Sequence, residues 1–392
     1  MKWIPIVYMA AGFLALSVVM GIGRFAFTPL LPPMESRGLT PFFAGLLASA
    51  NYTGYFIGAM WARRLEPGRG IIYSGLAVSV LTTAAMGLSG SLFPWLVWRL
   101  LSGIASGLVF VLTAAFVLNK LKAYDRLPVS GVLYGGVGGG ILLSGLLTPA
   151  LVERTGMEGA WLGFGAVSLL LSIFIWLGFQ LKLPELSSRS LSENKVSFSS
   201  NSAPDPKAVQ AIYLIYACAG FGYIIFGTFV ISLLASKGEL GLSPSYIWAV
   251  VGTAVIPSCL FWAWLQKRIG LLSSLKSAYI LQTAAVLLPL ISPTTGFAVV
   301  SAIGYGGSFM GIVALTMMLA RQLQPLKPQL IMGGLTASYG IGQLIGPLAA
   351  AAVTTGSEYT GGFILSAAVL LLGIVLLFLK SHVIEKSIVS YS

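Results

Sequence analysis

Apolar runs of about 20 residues, almost free of charge, follow one another along this chain from Ile4 to Leu379. Hydrocarbon holds no water to satisfy peptide N–H and C=O groups, so a run of that length folds as a helix with all its hydrogen bonds internal. The runs are continuously apolar and lack the period-two alternation of an outer-membrane barrel strand. Charged residues make up 9% of the 392 positions, against about 25% in a soluble globular chain. Such a surface cannot be wetted, and the reading is an all-α membrane protein.

Hydropathy windows predict twelve transmembrane helices, near 4–31, 41–62, 71–90, 94–118, 128–151, 160–181, 209–235, 245–265, 271–291, 295–319, 330–353 and 360–380. The first run is too long for a signal-peptide core and is expected to be retained. Cys218 and Cys259 both fall inside apolar runs and read as packing residues, with no disulfide framework. Trp3, Trp61, Trp95 and Trp161 lie near predicted span ends, where interfacial anchoring is the expected role.

The basic residues orient the chain. With the N-terminus cytoplasmic, eighteen of the 23 Lys and Arg fall on the inner side and three, Arg37, Arg154 and Lys237, on the outer side. The positive-inside bias predicts both termini in the cytoplasm and a bacterial-type inner membrane. It also explains the net charge of +12 without nucleic acid as a partner. The one long polar stretch, 182–208, carries eight serines with Pro204 and Pro206 and reads as a flexible cytoplasmic linker. It divides the chain into an N-terminal six-helix bundle, 1–181, and a C-terminal one, 209–392.

The two halves repeat. Gly21-Ile-Gly23-Arg24 in the first span is echoed by Gly220-Phe-Gly222-Tyr223 in the seventh, 199 residues later. Gly107-Leu-Val in span four matches Gly311-Ile-Val in span ten, and Gly138, Gly140 and Pro149 in span five match Gly340, Gly342 and Pro347 in span eleven. Parallel halves around a central cavity are a carrier architecture, with the solute held near mid-membrane.

With these features the chain resembles the major facilitator superfamily over essentially its full length. Arg99-Leu-Leu-Ser-Gly103-Ile-Ala-Ser-Gly107 matches that superfamily's R-x-x-x-G-x-x-x-G pattern, while in Gly58-Ala-Met-Trp-Ala62-Arg63-Arg64 an alanine stands where an Asp usually sits. More narrowly, the segment Gly21–Met34, Gly222-Tyr-Ile-Ile-Phe-Gly-Thr-Phe229 and Gly342-Gln-Leu-Ile-Gly-Pro347 look like the YbfB/YjiJ-type branch. The resemblance implies the facilitator fold, two pseudo-symmetric six-helix bundles, with spans one, four, seven and ten lining the path.

Only Arg24 and Arg99 carry charge deep inside predicted spans. A guanidinium at the bilayer centre costs about 2.5–3.5 kcal/mol on insertion scales, so it faces a cavity or a partner. Two of them on neighbouring cavity helices would form a fork for a carboxylate, sulfonate or phosphate. The structural alternatives are an Arg99 bonded to backbone carbonyls in its own half and an Arg24 that snorkels to the interface. Tyr134, Tyr223, Tyr339 and Gln343 are the polar residues expected to orient the rest of the solute, with Asn51, Tyr55 and Tyr305 as weaker candidates. Every acid sits in a loop or at a rim, Glu35 and Glu153 among them, so the membrane-embedded charge is purely positive and favours an anionic solute.

Other functions lack their residues. The spans offer no nucleophile–base pair or metal-ligand cluster for an enzyme, and the glycine clusters are followed by no GKS or GKT for a nucleotide. No cofactor is expected. The reading is a monomeric secondary or facilitated transporter of a small organic anion, working by alternating access, with that solute and membrane lipid as its partners. The alternatives are a proton-coupled exporter of amphipathic drugs and, from another class, a membrane sensor or scaffold that does not transport.

Overall fold

The computed structural model describes residues 3–122, 130–181, 205–324, 328–354 and 358–389. Residues 182–204 of the expected linker lie outside them; from Asp205 onward its residues cap and open a helix.

The first span is not one continuous helix. α1 (Ile4–Leu16) widens into a π-helical turn over Ser17–Ile22, passes through a turn at 23–26, and resumes as α2 (Phe27–Glu35). Gly21 and Gly23 lower the helical preference at the break. Pro29 then falls in the first turn of α2, where no intrahelical N–H is needed. π-turns of this kind interrupt the i→i−4 ladder and turn main-chain carbonyls aside.

The remaining helices are α3 (Pro41–Ala62), α4 (Arg69–Ala85), α5 (Leu92–Lys122), α6 (Ser130–Gln180), α7 (Pro206–Lys237), α8 (Ser245–Ile269), α9 (Leu271–Ile291), α10 (Thr295–Leu323), α11 (Pro328–Ala352) and α12 (Thr360–Val389). Local chemistry sets several ends. Asp205 accepts from the Lys207 N–H at 2.8 Å, Pro206 occupies the first turn of α7, and Gly238 closes that helix at φ 65°. α6 takes in two predicted spans and breaks at Gly156, φ 70°, a left-handed conformation suited to glycine.

Helices occupy every predicted window. Among the described residues eight helical segments are long and apolar enough to cross a membrane, with Ile4–Glu35 and the 50-residue Gly131–Gln180 counted once each; α4, at Arg69–Ala85, is shorter. Large apolar side chains on the outer faces, such as Leu170, Phe174, Phe378 and Leu379, are half or more exposed, as a lipid-facing wall requires. Two of the expected interfacial tryptophans are not at that wall. Trp161 is buried, and Trp95 is buried with its indole N–H donated to the Met86 carbonyl, because both face neighbouring helices of the N-terminal half.

Glycines set the helix spacing, and the repeat read from the sequence reappears as repeated contacts. Gly21 of the first span lies against Gly140 of α6, and Gly220 and Gly342 bring α7 against α11 in the same way. Between the halves α6 packs along α8 and α3 along α11. At the α6–α8 seam a Cβ on Gly138 would sit 2.6 Å from the Gly252 carbonyl oxygen, so only glycine allows the two backbones to meet.

Candidate functional site

A cavity of about 410 Å³ lies between the two halves, within the roughly 300–1,000 Å³ range of small-molecule sites. The first half contributes Arg24, Tyr55, Phe110 and Tyr134, and the second contributes Tyr223, Phe309, Tyr339 and Gln343. Its far end is formed by Met317, Met318 and the exposed Arg321 of α10, with Met332 of α11. The near end is sealed by bonds between the halves. Thr28 donates to the Gly227 carbonyl, Ser49 donates to the Leu344 carbonyl at 2.8 Å, and the Tyr52 and Thr228 hydroxyls lie 3.2 Å apart. At the rim Tyr359 donates to the Glu35 carboxylate. Burial, and that carboxylate beside it, raise the pKa of the Tyr359 hydroxyl, so it stays a donor.

Arg24 leaves the chain at the turn that follows the π-helical segment and is 2% exposed. Its guanidinium lies over the rings of Tyr52 and Tyr55, 4.5 and 4.6 Å from their centroids, a cation–π arrangement strengthened by desolvation. Nη2 donates to the Tyr223 hydroxyl at 3.2 Å, and Nε has no partner. Gln343 donates to the same hydroxyl from α11. A hydroxyl that accepts from two donors keeps its own proton to give. Among the described residues the one ion pair is Arg37 with Glu158, on the surface, so no carboxylate neutralises Arg24. The result is a buried cation with an unused N–H, next to a donor hydroxyl, in an apolar chamber.

The two-arginine fork expected from the sequence is not formed. Arg99 is 1% exposed but does not line the cavity. Its Nη1 donates to the carbonyls of Gly23 and Arg24 at 3.3 Å each, and its Nε to the Leu47 carbonyl at 3.4 Å. Ser102 adds a bond to the Gly23 carbonyl at 3.0 Å. The break in the first span frees those carbonyls, and a buried carbonyl needs a donor; Arg99 supplies it from α5. It thus holds the backbone that presents Arg24. The second half repeats the arrangement with other residues: Tyr305 donates to the Tyr223 carbonyl at 2.9 Å and Ser366 to that of Gly222. Tyr305, like Arg99, therefore lies behind the lining. Asn51 also stands outside it, donating to the Arg99 carbonyl at 2.9 Å.

Six of the sequence candidates do line the cavity: Arg24, Tyr55, Tyr134, Tyr223, Tyr339 and Gln343. The sequence reading missed Phe110, Phe309, Tyr216 and the methionines of the lining, because an apolar or aromatic side chain in an apolar run carries no mark of facing a cavity. Of the rim acids, Glu35 joins the seal and Glu153 is exposed.

The family model described as "Uncharacterised MFS-type transporter YbfB" matches residues 16–378. Two curated relatives are "Probable anion transporter 6, chloroplastic" of Arabidopsis thaliana, 25% identical over 44% of this chain, and "Probable anion transporter 2, chloroplastic" of Oryza sativa subsp. japonica, 26% identical over 43%. The chain spans about a third of their length, 32% in each case. Among solved structures, the nucleoside transporter NupG is similar with a TM-score of 0.71 at 14% identity, over 97% of this chain and 98% of that one. The POT family transporter PepTSo is similar at 0.72 and 13%, over 98% of each. At these identities the likeness is one of fold.

Proposed function

The chain belongs to the major facilitator superfamily, in the family of YbfB-type transporters, and we propose that it carries a small organic anion, a carboxylate or sulfonate, across the membrane by alternating access. Its family and fold are those of membrane transporters rather than enzymes. One observation carries the choice of anion: Arg24, buried at the cavity wall, has no acidic partner among the described residues and an unpaired Nε. A desolvated cation left without a counter-charge is costly, and an anionic solute would supply that charge. The names of the two plant relatives agree with this sign.

In the proposed cycle the acidic group of the solute accepts from Arg24 and from the Tyr223 hydroxyl, while Gln343 holds that hydroxyl in place. Arg99 acts one layer behind, as a positioning residue. The halves rock along the glycine-lined α6–α8 and α3–α11 seams. The positive-inside reading puts the sealed end, with Thr28, Gly227 and Glu35, on the outer side. The arrangement described here is then the one with its cavity turned toward the cytoplasm. The two bundles, 1–181 and 209–392, are the rocking bodies and 182–208 their cytoplasmic linker. The carrier is taken as a monomer in the inner membrane, with both termini inside.

The test is uptake of radiolabelled organic acids by proteoliposomes containing the wild type or Arg24→Ala. Arg24-dependent uptake of acids is the expected outcome. Equal uptake of a cationic dye by both proteins would instead support an exporter of amphipathic compounds, a reading to which the aromatic and methionine lining lends weight. No flux of either class would point to a sensor.

A further inference from the structure

The cavity's one deep charge is Arg24, and its walls are aromatic from both halves. In the second half Tyr216, Tyr339 and Tyr223 stack in sequence, with centroids 4.4 and 5.3 Å apart, and Tyr223 stacks on Phe309 at 5.6 Å. The interplanar angles of 24°, 16° and 15° make this a nearly parallel ladder. In the first half Tyr55, Phe110 and Tyr134 follow one another at 6.3 and 5.7 Å. Both sets line the same cavity.

The two cations of the lining sit at different ends of the cavity. Arg99 is engaged with backbone carbonyls outside the lining, which leaves Arg24 as the deep charge. The other guanidinium of the lining is Arg321, twelve residues beyond Phe309 on α10, about 18 Å along the helix axis. A compact dianion placed on Arg24 would therefore carry its second negative charge among aromatic and apolar side chains at the sealed end, away from the Arg321 end, an arrangement that burial penalises.

Resting on the anion reading above, we infer that the site takes a monoanion with an aromatic body, its acidic group on Arg24 and Tyr223 and its ring between the two aromatic walls. Offset-stacked or edge-on ring pairs each favour an aromatic body over a saturated one by about two- to tenfold in affinity. A compact dicarboxylate is disfavoured by its second charge, and inorganic phosphate by having no ring to stack between the walls.

The experiment is ligand binding to the purified full-length protein, by isothermal titration and thermal shift. The probes are phenylacetate, cyclohexylacetate, succinate, inorganic phosphate and the neutral phenylacetamide. The expected result is binding of phenylacetate at least about fivefold tighter than cyclohexylacetate and tenfold tighter than succinate or phosphate. Phe309→Leu should weaken phenylacetate about fivefold and leave cyclohexylacetate within about twofold. Succinate or phosphate binding as tightly as phenylacetate, lost in Arg24→Ala, would overturn the aromatic-monoanion assignment and leave the anion reading standing. Equal weakening of both acetates in Phe309→Leu, or no binding of phenylacetate at about 10 mM, would also overturn it. Phenylacetamide binding as tightly as phenylacetate, in both wild type and Arg24→Ala, would overturn the two readings together.

Discussion

Arg24 and Tyr223 occupy equivalent places in the two halves, 199 residues apart, and they bond to each other. Thr28 and Gly227, also 199 residues apart, do the same one helical turn on. When repeat-equivalent residues touch, the axis relating the repeats passes between them. The seal and the deepest polar group of the cavity therefore lie close to that axis, where the halves are in contact.

Removing the buried cation should separate function from folding. Arg24→Ala is expected to lower affinity for organic acids by about 10- to 150-fold, the value of a charge-assisted hydrogen bond of roughly 1.5–3 kcal/mol. The ligand-free protein should melt no lower than wild type, since an uncompensated buried charge is lost. Uptake in proteoliposomes and a melting curve in detergent check the two halves of this expectation.

Arg99 should behave in the opposite order. Arg99→Ala leaves the Arg24 carbonyl without that donor and the Gly23 carbonyl with Ser102 alone, and is expected to cost about 1–3 kcal/mol of stability, as for a buried acceptor left unsatisfied. Arg99→Lys keeps the charge but not the fork and should fall between. Melting temperature is the primary readout. A wild-type melting curve with lost binding would place Arg99 among the solute contacts instead.

The seal should loosen when its rim bond is cut. Tyr359→Phe removes the donor that reaches Glu35 across the halves. With spin labels on Ser36→Cys and Glu239→Cys, in a background lacking Cys218 and Cys259, the distance distribution should gain a longer component. A bond worth about 1.5–3 kcal/mol, as for hydrogen bonds to charged groups, would shift the conformational ratio roughly 10- to 150-fold. An unchanged distribution would remove this bond from the seal.

The seam glycines offer a matched contrast. Gly138→Ala puts a methyl 2.6 Å from the Gly252 carbonyl oxygen, and overpacking of this kind costs about 1–3 kcal/mol. Gly307→Ala, which meets nothing within 4 Å, should be neutral or gain up to about 1 kcal/mol of helix preference. Thermal unfolding and uptake of the two variants, compared side by side, report whether close approach is what the glycine clusters serve.

The sequence made legible whatever departs from its apolar background. Helix windows, glycine repeats, Arg24, Tyr223, Tyr339 and Gln343 all stood out because a polar or small residue in a lipid-length run requires a reason. Arg24 and Arg99 could not be told apart, since both sit at similar depth with no acid near them in sequence. Their difference arises from the π-helical break, which turns carbonyls toward α5 and a side chain toward the cavity. Phe110 and Phe309 stayed hidden because one apolar aromatic among many gives no sign of its facing. The Glu35–Tyr359 bond joins positions 324 residues apart, and no local pattern foretells it.

The contact at positions 24 and 223 also bears on how such a chain could have arisen. Two identical subunits meeting about the same axis would set like against like, and two buried guanidiniums in contact would repel. Arginine facing tyrosine requires two halves of different sequence, which a single chain supplies. A chain whose two halves differ at this position thus lets one side of the interface hold the charge while the other holds the hydroxyl that answers it.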